Sequence, residues 1–317
     1  MVADGVRASV VMAVHNGADT LPRQLRAVDE QAADCVDLIL VDDASGDGSW
    51  ALLCAFAARH AHAQAVRRGS CAGKAACVNE AVRLASGDVV VLVDQDDVIG
   101  PGYVRRLAQA AARDGLAFGR MEYALLNDAD HVTALWDHPD QDRAAVRFRG
   151  PDGHLWRVRV GPGCCLGVRR DIFDRLGGFA TDIGCTDDVD FCLRATALGH
   201  PYRQAPDAVI SYRFREGGAA LFRQRRWYGR SWCLLEDKYR SDGLVPRATA
   251  TVVRAAVAAT GKLLSPARAR RLQGAAELGF SLGQLQGRVR GSGWSPGKRQ
   301  PGPFTVDVST APATEPE

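Results

Sequence analysis

The sequence has no run of about 18 uninterrupted apolar residues, so no segment reads as a membrane-spanning helix. Its first ten residues, MVADGVRASV, have neither the basic start nor the apolar stretch of a secretory leader, and the chain is expected to be cytoplasmic. Lysine is scarce: among 40 basic residues only Lys74, Lys238, Lys262 and Lys298 are lysine, and the chain is rich in alanine throughout. That pattern looks like a high-GC coding bias, so abundant arginine is no argument for nucleic-acid binding, and a net charge of +3 adds none. Zinc-type spacing is missing as well. The nine cysteines form no C-x-x-C pair or Cys/His cluster, and their odd number argues against a disulfide framework. Cys35, Cys54, Cys77 and Cys192 fall in apolar-rich segments, where a free cysteine acts as a small hydrophobe.

What the chain does have, at 317 residues, is enough length for one large domain or two small ones, and a first half that alternates strand and helix. ASVVMAV (Ala8 to Val14) and VDLILV (Val36 to Val41) read as strands. A helix follows HNGADT, capped by Asp19 or Thr20 with Pro22 in its first turn; others are expected at Trp50 to His60 and at Lys74 to Ala85, the latter stopped by Gly87. Alternation of this kind predicts an α/β fold, a mixed and mostly parallel central sheet flanked by helices. Farther on, GRMEYALL, WRVRVG and AVISYRF look like strands, while RRDIFDRLGGF, TDDVDFCLRATALGH and GGAALFRQRRWYGRSWCLL look like helices. Residues 291–317 hold five prolines and four glycines with little periodicity, as expected of a disordered tail.

Charge concentrates at VVVLVDQDDVIG, Val89 to Gly100. If Asp88 to Val93 is a buried strand, as its unbroken Val/Leu run suggests, pleat alternation turns Asp94 and Asp96 to one side, and Gln95 and Asp97 to the other. Two carboxylates ~5 Å apart repel by roughly 3 kcal/mol at an effective dielectric of about 20, which calls for a cation. Oxygen ligands of this kind suit Mg²⁺ or Mn²⁺, whereas the simplest alternative is a solvated acidic turn. Ligands of such sheets bind beyond the carboxyl ends of the strands. Polar residues gather there: His15, Asn16 and Gly17 after the first strand, Asp42 and Asp43 after the second, Asp94 and Asp96 after the later one. Together they predict a nucleotide and metal crevice.

Five segments in this order, SVVMAVHNGADTLPRQL, LILVDDASGDGS, GDVVVLVDQDDVIGPGY, GCCLGVRRDIFDRLGGF and TDDVDFCLRATALGH, resemble the inverting nucleotide-sugar glycosyltransferases of family 2, which have the GT-A fold. The resemblance spans about residues 8 to 230. It implies a catalytic domain over 1–240, with nucleotide-sugar binding in about 1–115 and the acceptor half in about 116–240, leaving 241–290 as a helical extension. Carried over, it puts Ala13, His15 and Asp43 on the nucleotide base and ribose, with Asn16 and Asp42 beside them. Lys74 either reaches the diphosphate or is a solvated first-turn lysine. Asp94 and Asp96 match the D-x-D pair that holds a divalent metal, Mn²⁺ or Mg²⁺, against the diphosphate, and Asp97 either contacts the metal's water or caps a turn. Asp187 and Asp188 match the family's acidic pair, and Asp188 is implied to be the general base that takes the acceptor hydroxyl's proton; without the resemblance both would be helix caps.

Two departures accompany the match. Many members carry a histidine in the strand corresponding to AVISYRFR, whereas this chain has Tyr212, Arg213, Phe214 and Arg215 there, and no histidine from Pro201 to Glu317. Either the metal has fewer protein ligands, or arginines share in neutralising the diphosphate. RQRRW, Arg223 to Trp227, also fits the (Q/R)xxRW pattern of processive synthases, which brings Arg223 and Arg226 toward the donor; without membrane spans, transfer of one or a few sugars is expected. The acceptor is a hydroxyl of a glycan, a lipid-linked precursor or a natural product, with specificity set by loops such as Asn127 to Gly150. Rival readings are an inactive or nucleotidyl-transferring relative, and a haloacid-dehalogenase-like phosphatase, whose D-x-D-x-(T/V) pattern LVDQDDV also satisfies. Finally, Leu278, Leu282, Leu285 and Val289 recur at helical spacing among arginines. That helix either lies peripherally on an anionic membrane or packs as core; Gly274, Gly279, Gly283 and Gly287 would weaken it in isolation.

Overall fold

The computed structural model describes residues 5–135, 145–149, 154–290 and 315–316. Most of the expected tail, residues 291–314 and 317, lies outside the described residues, as does part of the Asn127 to Gly150 loop. The chain forms two compact units. The first comprises Met1–Leu125, Gly161–Thr181 and Arg194–Arg213; the second comprises Leu126–Val160, Asp182–Leu193 and Phe214–Glu317.

The first unit is built on an eight-stranded sheet. Its strands are β1 (Ala8–Val14), β2 (Asp37–Asp42), β3 (Ala63–Arg67), β4 (Val89–Asp94), β5 (Val98–Ile99), β6 (Leu116–Glu122), β9 (Leu166–Arg169) and β10 (Gln204–Ser211). They lie in the order β3-β2-β1-β4-β9-β6-β10-β5. β3, β2, β1 and β4 run parallel, and β10 is parallel to β6. β9 is antiparallel to both β4 and β6, and β5 to β10. The sheet is therefore mixed but mainly parallel. β1 and β4 occupy its middle with almost every side chain buried, which is why their sequences are continuous Val/Leu/Met runs rather than alternating ones. β3 was not apparent in the sequence. AQAVR is short, half-exposed and weak in β-formers, as suits a strand at the sheet edge.

Helices α1 (Leu21–Asp29), α2 (Ser49–Ala57), α3 (Lys74–Leu84), α4 (Tyr103–Asp114) and α6 (Arg170–Arg175) flank these strands. α1 begins with Pro at its first turn and buries Leu21, Leu25 and Val28, the face read from the sequence. α2 ends at Ala57, short of the expected His60, and leaves Cys54 exposed rather than in the core; Cys35, Cys77 and Cys192 are buried as expected. α3 is closed by Ala85 in an extended conformation, so Gly87 is not its cap; Gly87 instead packs against β1, where its N–H donates to Ser9 Oγ.

The second unit is mainly helical: α5 (Ala129–Leu135), α8 (Gly217–Lys238), α9 (Thr249–Leu263) and α10 (Arg268–Arg290), with a small antiparallel sheet of β7 (Ala145–Arg149), β8 (Leu155–Arg159) and β11 (Glu315–Pro316). α7 (Asp187–Ala197) begins in this unit. α10 lies along α8 on its glycine face. A Cβ on Gly279 or Gly283 would strike the carbonyl oxygens of Phe222 and Arg226, and one on Gly287 would sit 2.8 Å from Cys233 Sγ. Gly279, Gly283 and Gly287 thus permit close approach to α8, while Gly274 faces α9, where a Cβ would lie 2.8 Å from the Ala259 carbonyl oxygen; α10 packs on its glycine face, leaving Leu278, Leu282 and Leu285 half-buried and Val289 exposed. No helix among the described residues is long and apolar enough to cross a membrane.

Candidate donor site

At the carboxyl edge of β1, β2, β3 and β4, three loops and one acidic turn come together within the first unit. The acidic turn departs from the sequence expectation. β4 ends at Asp94, and Gln95 to Asp97 form a turn into β5, so pleat alternation stops at Asp94. Asp97 does not point to the opposite face. A carboxylate oxygen from each of Asp94, Asp96 and Asp97 lies within 4.8 Å of the others.

The three differ in environment. Asp94 and Asp96 are half-buried, while Asp97 is 1% exposed. Burial pushes the Asp97 carboxyl well above the usual carboxylate range, and the negative charges of Asp94 and Asp96 push it further, against a hydrogen bond from the Arg213 N–H (2.9 Å to Oδ1). The other oxygen of Asp97, Oδ2, is buried without a hydrogen-bond partner. Lys74, in the first turn of α3, places Nζ 2.6 Å from Asp94 Oδ1, which offsets part of the cluster's negative charge. Arg213 reinforces the turn, its Nε donating to the Asp96 carbonyl (3.1 Å). An all-oxygen trio with an unsatisfied buried carboxylate oxygen fits a hard divalent cation such as Mg²⁺ or Mn²⁺.

The turn is held from behind by a residue the sequence did not single out. Gln24 of α1 is fully buried, its Nε2 donating to the Asp94 carbonyl (2.9 Å) and its Oε1 accepting from the Ile99 N–H (3.1 Å). One amide thereby spans both ends of the acidic turn. Gln95 does the same for the loop after β1: its Oε1 accepts from the His15 N–H (2.7 Å) and its Nε2 donates to the His15 carbonyl (3.0 Å). Gly17 makes room for this contact, since a Cβ there would lie 2.6 Å from Gln95 Cδ.

His15 and Asn16 leave β1 exposed, whereas Ala13 lies half-buried within the strand. His15 Nδ1 is 2.8 Å from the Asp43 carbonyl, which fixes the ring. Asn16 has a left-handed backbone (φ 48°) and uses its side chain on protein: Oδ1 accepts from the Gly46 N–H (2.8 Å). Asp42 is fully buried beneath the next turn, accepting from the Ser45 N–H and paired with Arg67. Asp43 faces the loop after β3. Its Oδ1 accepts from the Ala72 N–H and its Oδ2 from the Gly73 N–H, both at 2.8 Å, and the Cys71 thiol donates to Oδ2 at 3.2 Å. Burial alone would raise the Asp43 carboxyl, but these hydrogen bonds outweigh it and hold it below the ordinary carboxylate range.

The remaining site candidates belong to the second unit. Asp187 and Asp188 open α7, Asp187 nearly buried and Asp188 half-buried, with Asp188 Oδ1 accepting from the Val189 N–H (2.7 Å). The third carboxylate of that turn, Asp190, is fully buried and bound by Lys238 and by the Tyr239 hydroxyl (2.7 Å). It is a structural ion pair, and nothing in TDDVD separates it from its neighbours. Arg223, Arg226 and Arg230 share an exposed face of α8, and Arg226 Nε donates to Gln286 Oε1 of α10 (2.8 Å).

Residues 9–177, more than half of the chain, match the family described as Glycosyl transferase family 2. Among curated relatives, an uncharacterized glycosyltransferase, YwdF, of Bacillus subtilis is 24% identical over 220 residues, covering 67% of this chain and 76% of that protein. The undecaprenyl-phosphate 4-deoxy-4-formamido-L-arabinose transferase of Sodalis glossinidius is 34% identical over 112 residues, a stretch that is 34% of each protein. Among solved structures, the mannosyltransferase PcManGT of Pyrobaculum calidifontis, in complex with GDP-Man and Mn²⁺, superposes with a TM-score of 0.61 at 21% identity, covering 88% of this chain and 87% of that one. At that identity the likeness concerns the fold, which is that of the GT-A glycosyltransferases.

Proposed function

The chain belongs to glycosyltransferase family 2 and is an enzyme of that class, and from this premise we propose that it transfers a sugar from a nucleoside-diphosphate donor to an acceptor hydroxyl with inversion at the anomeric carbon. The observation that carries the donor half is the gathering of His15, Asp43, Lys74, Asp94, Asp96 and Asp97 at one sheet edge. The nucleotide base and ribose bind along Ala13, His15 and Asp43. Asp94 and Asp96 hold the divalent cation, with Asp96 the principal ligand by its place in the D-x-D pair that follows the buried strand β4. When bound, that cation neutralises charge developing on the departing nucleoside diphosphate. Lys74, beside Asp94, would supply positive charge to the diphosphate, and Arg213, whose Nε is on the Asp96 carbonyl, would add more.

Asp188 is the general base in this proposal. With a reference pKa of ~3.9 a carboxylate is a poor base for a resting alcohol. It is effective because the hydroxyl becomes acidic only as its oxygen bonds to the anomeric carbon, so the proton moves late and to a nearby acceptor. A GDP-mannose-like donor is the first to test, since a solved structure of similar fold contains GDP-Man and Mn²⁺. Incubation with Mn²⁺ and a panel of nucleotide sugars is the experiment. Release of nucleoside diphosphate with an inverted product anomer is expected. Inorganic phosphate instead would point to a phosphatase, and binding without turnover to an inactive relative.

A further inference from the structure

The donor edge carries a second cluster of potential ligands that the transferase reading does not use as such. A ring nitrogen of His15, a carboxylate oxygen of Asp43 and the sulfur of Cys71 lie within 4.8 Å of one another. They come from three neighbouring strands: His15 follows β1, Asp43 follows β2 and Cys71 lies in the loop after β3, so the sheet register sets their separation. Nitrogen, oxygen and sulfur donors at such spacing match zinc, which takes three protein ligands and leaves a fourth position open. In a tetrahedral zinc site with bonds of about 2.0–2.3 Å, ligand atoms stand roughly 3.3–3.8 Å apart. Cys71 Sγ and Asp43 Oδ2 are already 3.2 Å apart, joined through the thiol proton. The exposed His15 and Cys71 side chains move to close the rest, and His15 gives up one of its ring contacts, Nδ1 to the Asp43 carbonyl (2.8 Å) or Nε2 to Asn16 Nδ2 (3.0 Å).

We propose that His15, Asp43 and Cys71 form a zinc site, distinct in chemistry from the all-oxygen trio Asp94, Asp96 and Asp97, whose occupation blocks the donor nucleotide. Zn²⁺ takes the place of the thiol proton between sulfur and carboxylate, forming a zinc–thiolate bond and releasing one proton to solvent. The backbone N–H groups of Ala72 and Gly73 go on holding Asp43, so the carboxylate is oriented before the cation arrives. Thiolate ligation selects zinc over the Mg²⁺ or Mn²⁺ suited to the acidic turn. The blocking role rests on the proposed placement of the nucleotide along His15 and Asp43; the cation site itself does not.

The test is titration of full-length reduced protein with zinc against a chromophoric chelator, in excess Mg²⁺, with Co²⁺ as a spectroscopic substitute. One equivalent of zinc and a thiolate-to-cobalt charge-transfer band are expected, with zinc affinity falling at least ~10-fold and the band disappearing in Cys71→Ser; His15→Ala should weaken zinc similarly. Wild-type affinity in both variants, or no zinc bound by the wild type, overturns the site. Nucleoside diphosphate should then compete with zinc. Zinc affinity unchanged by saturating nucleotide overturns the blocking role and, with the site intact, identifies the donor placement as the failed premise.

Discussion

Asp43 shows how one side chain can organise a site before any ligand is present. It is buried at 3% exposure, yet three donors from the loop after β3 hold it below the ordinary carboxylate range. Because its folded pKa lies below its unfolded value of ~3.9, it contributes stability that is present above that pH and is lost as the pH falls through the folded value. Asp43→Asn keeps the shape but turns a donor toward the Ala72 or Gly73 N–H. It should cost about 1–3 kcal/mol near neutrality, and the gap in Tm between wild type and variant should shrink as the pH drops below ~4. Melting curves across that range check both parts. Gln24 supplies the companion case. Gln24→Leu leaves the Asp94 carbonyl and the Ile99 N–H without their partner, and should lower stability by about 1–3 kcal/mol while weakening metal-dependent nucleotide binding, read by denaturation and calorimetry. Neither role was legible in the sequence. Asp94 and Asp96 stand out because charge beside an apolar strand is conspicuous, whereas Gln24, Gln95 and Asn16 act on backbone groups as much as 80 residues away, and no local pattern encodes that.

Among the elements, the central strands were readable because burial on both faces demands unbroken apolar runs, as in β1, β2 and β4. Alternation was misleading only where β4 gave way to a turn, which carried Asp97 inward. The α8–α10 pair was harder. Its glycines look unfavourable by helix propensity, but at the contact they remove the Cβ atoms that would hold the backbones apart. Paired substitutions separate these effects. Gly283→Ala drives a methyl group into the Arg226 carbonyl and should destabilise by several kcal/mol, on the order of other overpacking changes. Gly261→Ala in α9, where an added Cβ meets nothing within 4 Å, should be neutral or stabilise by up to ~1 kcal/mol. Urea denaturation of the two variants decides it, and equal effects would mean that close approach of α10 to α8 does not govern this unit.

At the scale of the whole molecule, the proposed general base is tested apart from the proposed donor site. Asp188→Asn retains the size and removes the base, so kcat should fall by about 10²-fold or more with donor affinity nearly unchanged, a split that steady-state kinetics and calorimetry resolve together. Near wild-type turnover would assign the proton to another group. The acidic turn after β4 is proposed to hold a divalent cation on which donor binding depends. Isothermal titration of nucleoside diphosphate into wild type and Asp96→Ala, each with and without Mn²⁺, tests it most directly. Mn²⁺ should tighten binding to the wild type and have no effect on a folded Asp96→Ala protein, whereas the same metal-dependent gain in both would contradict the assignment.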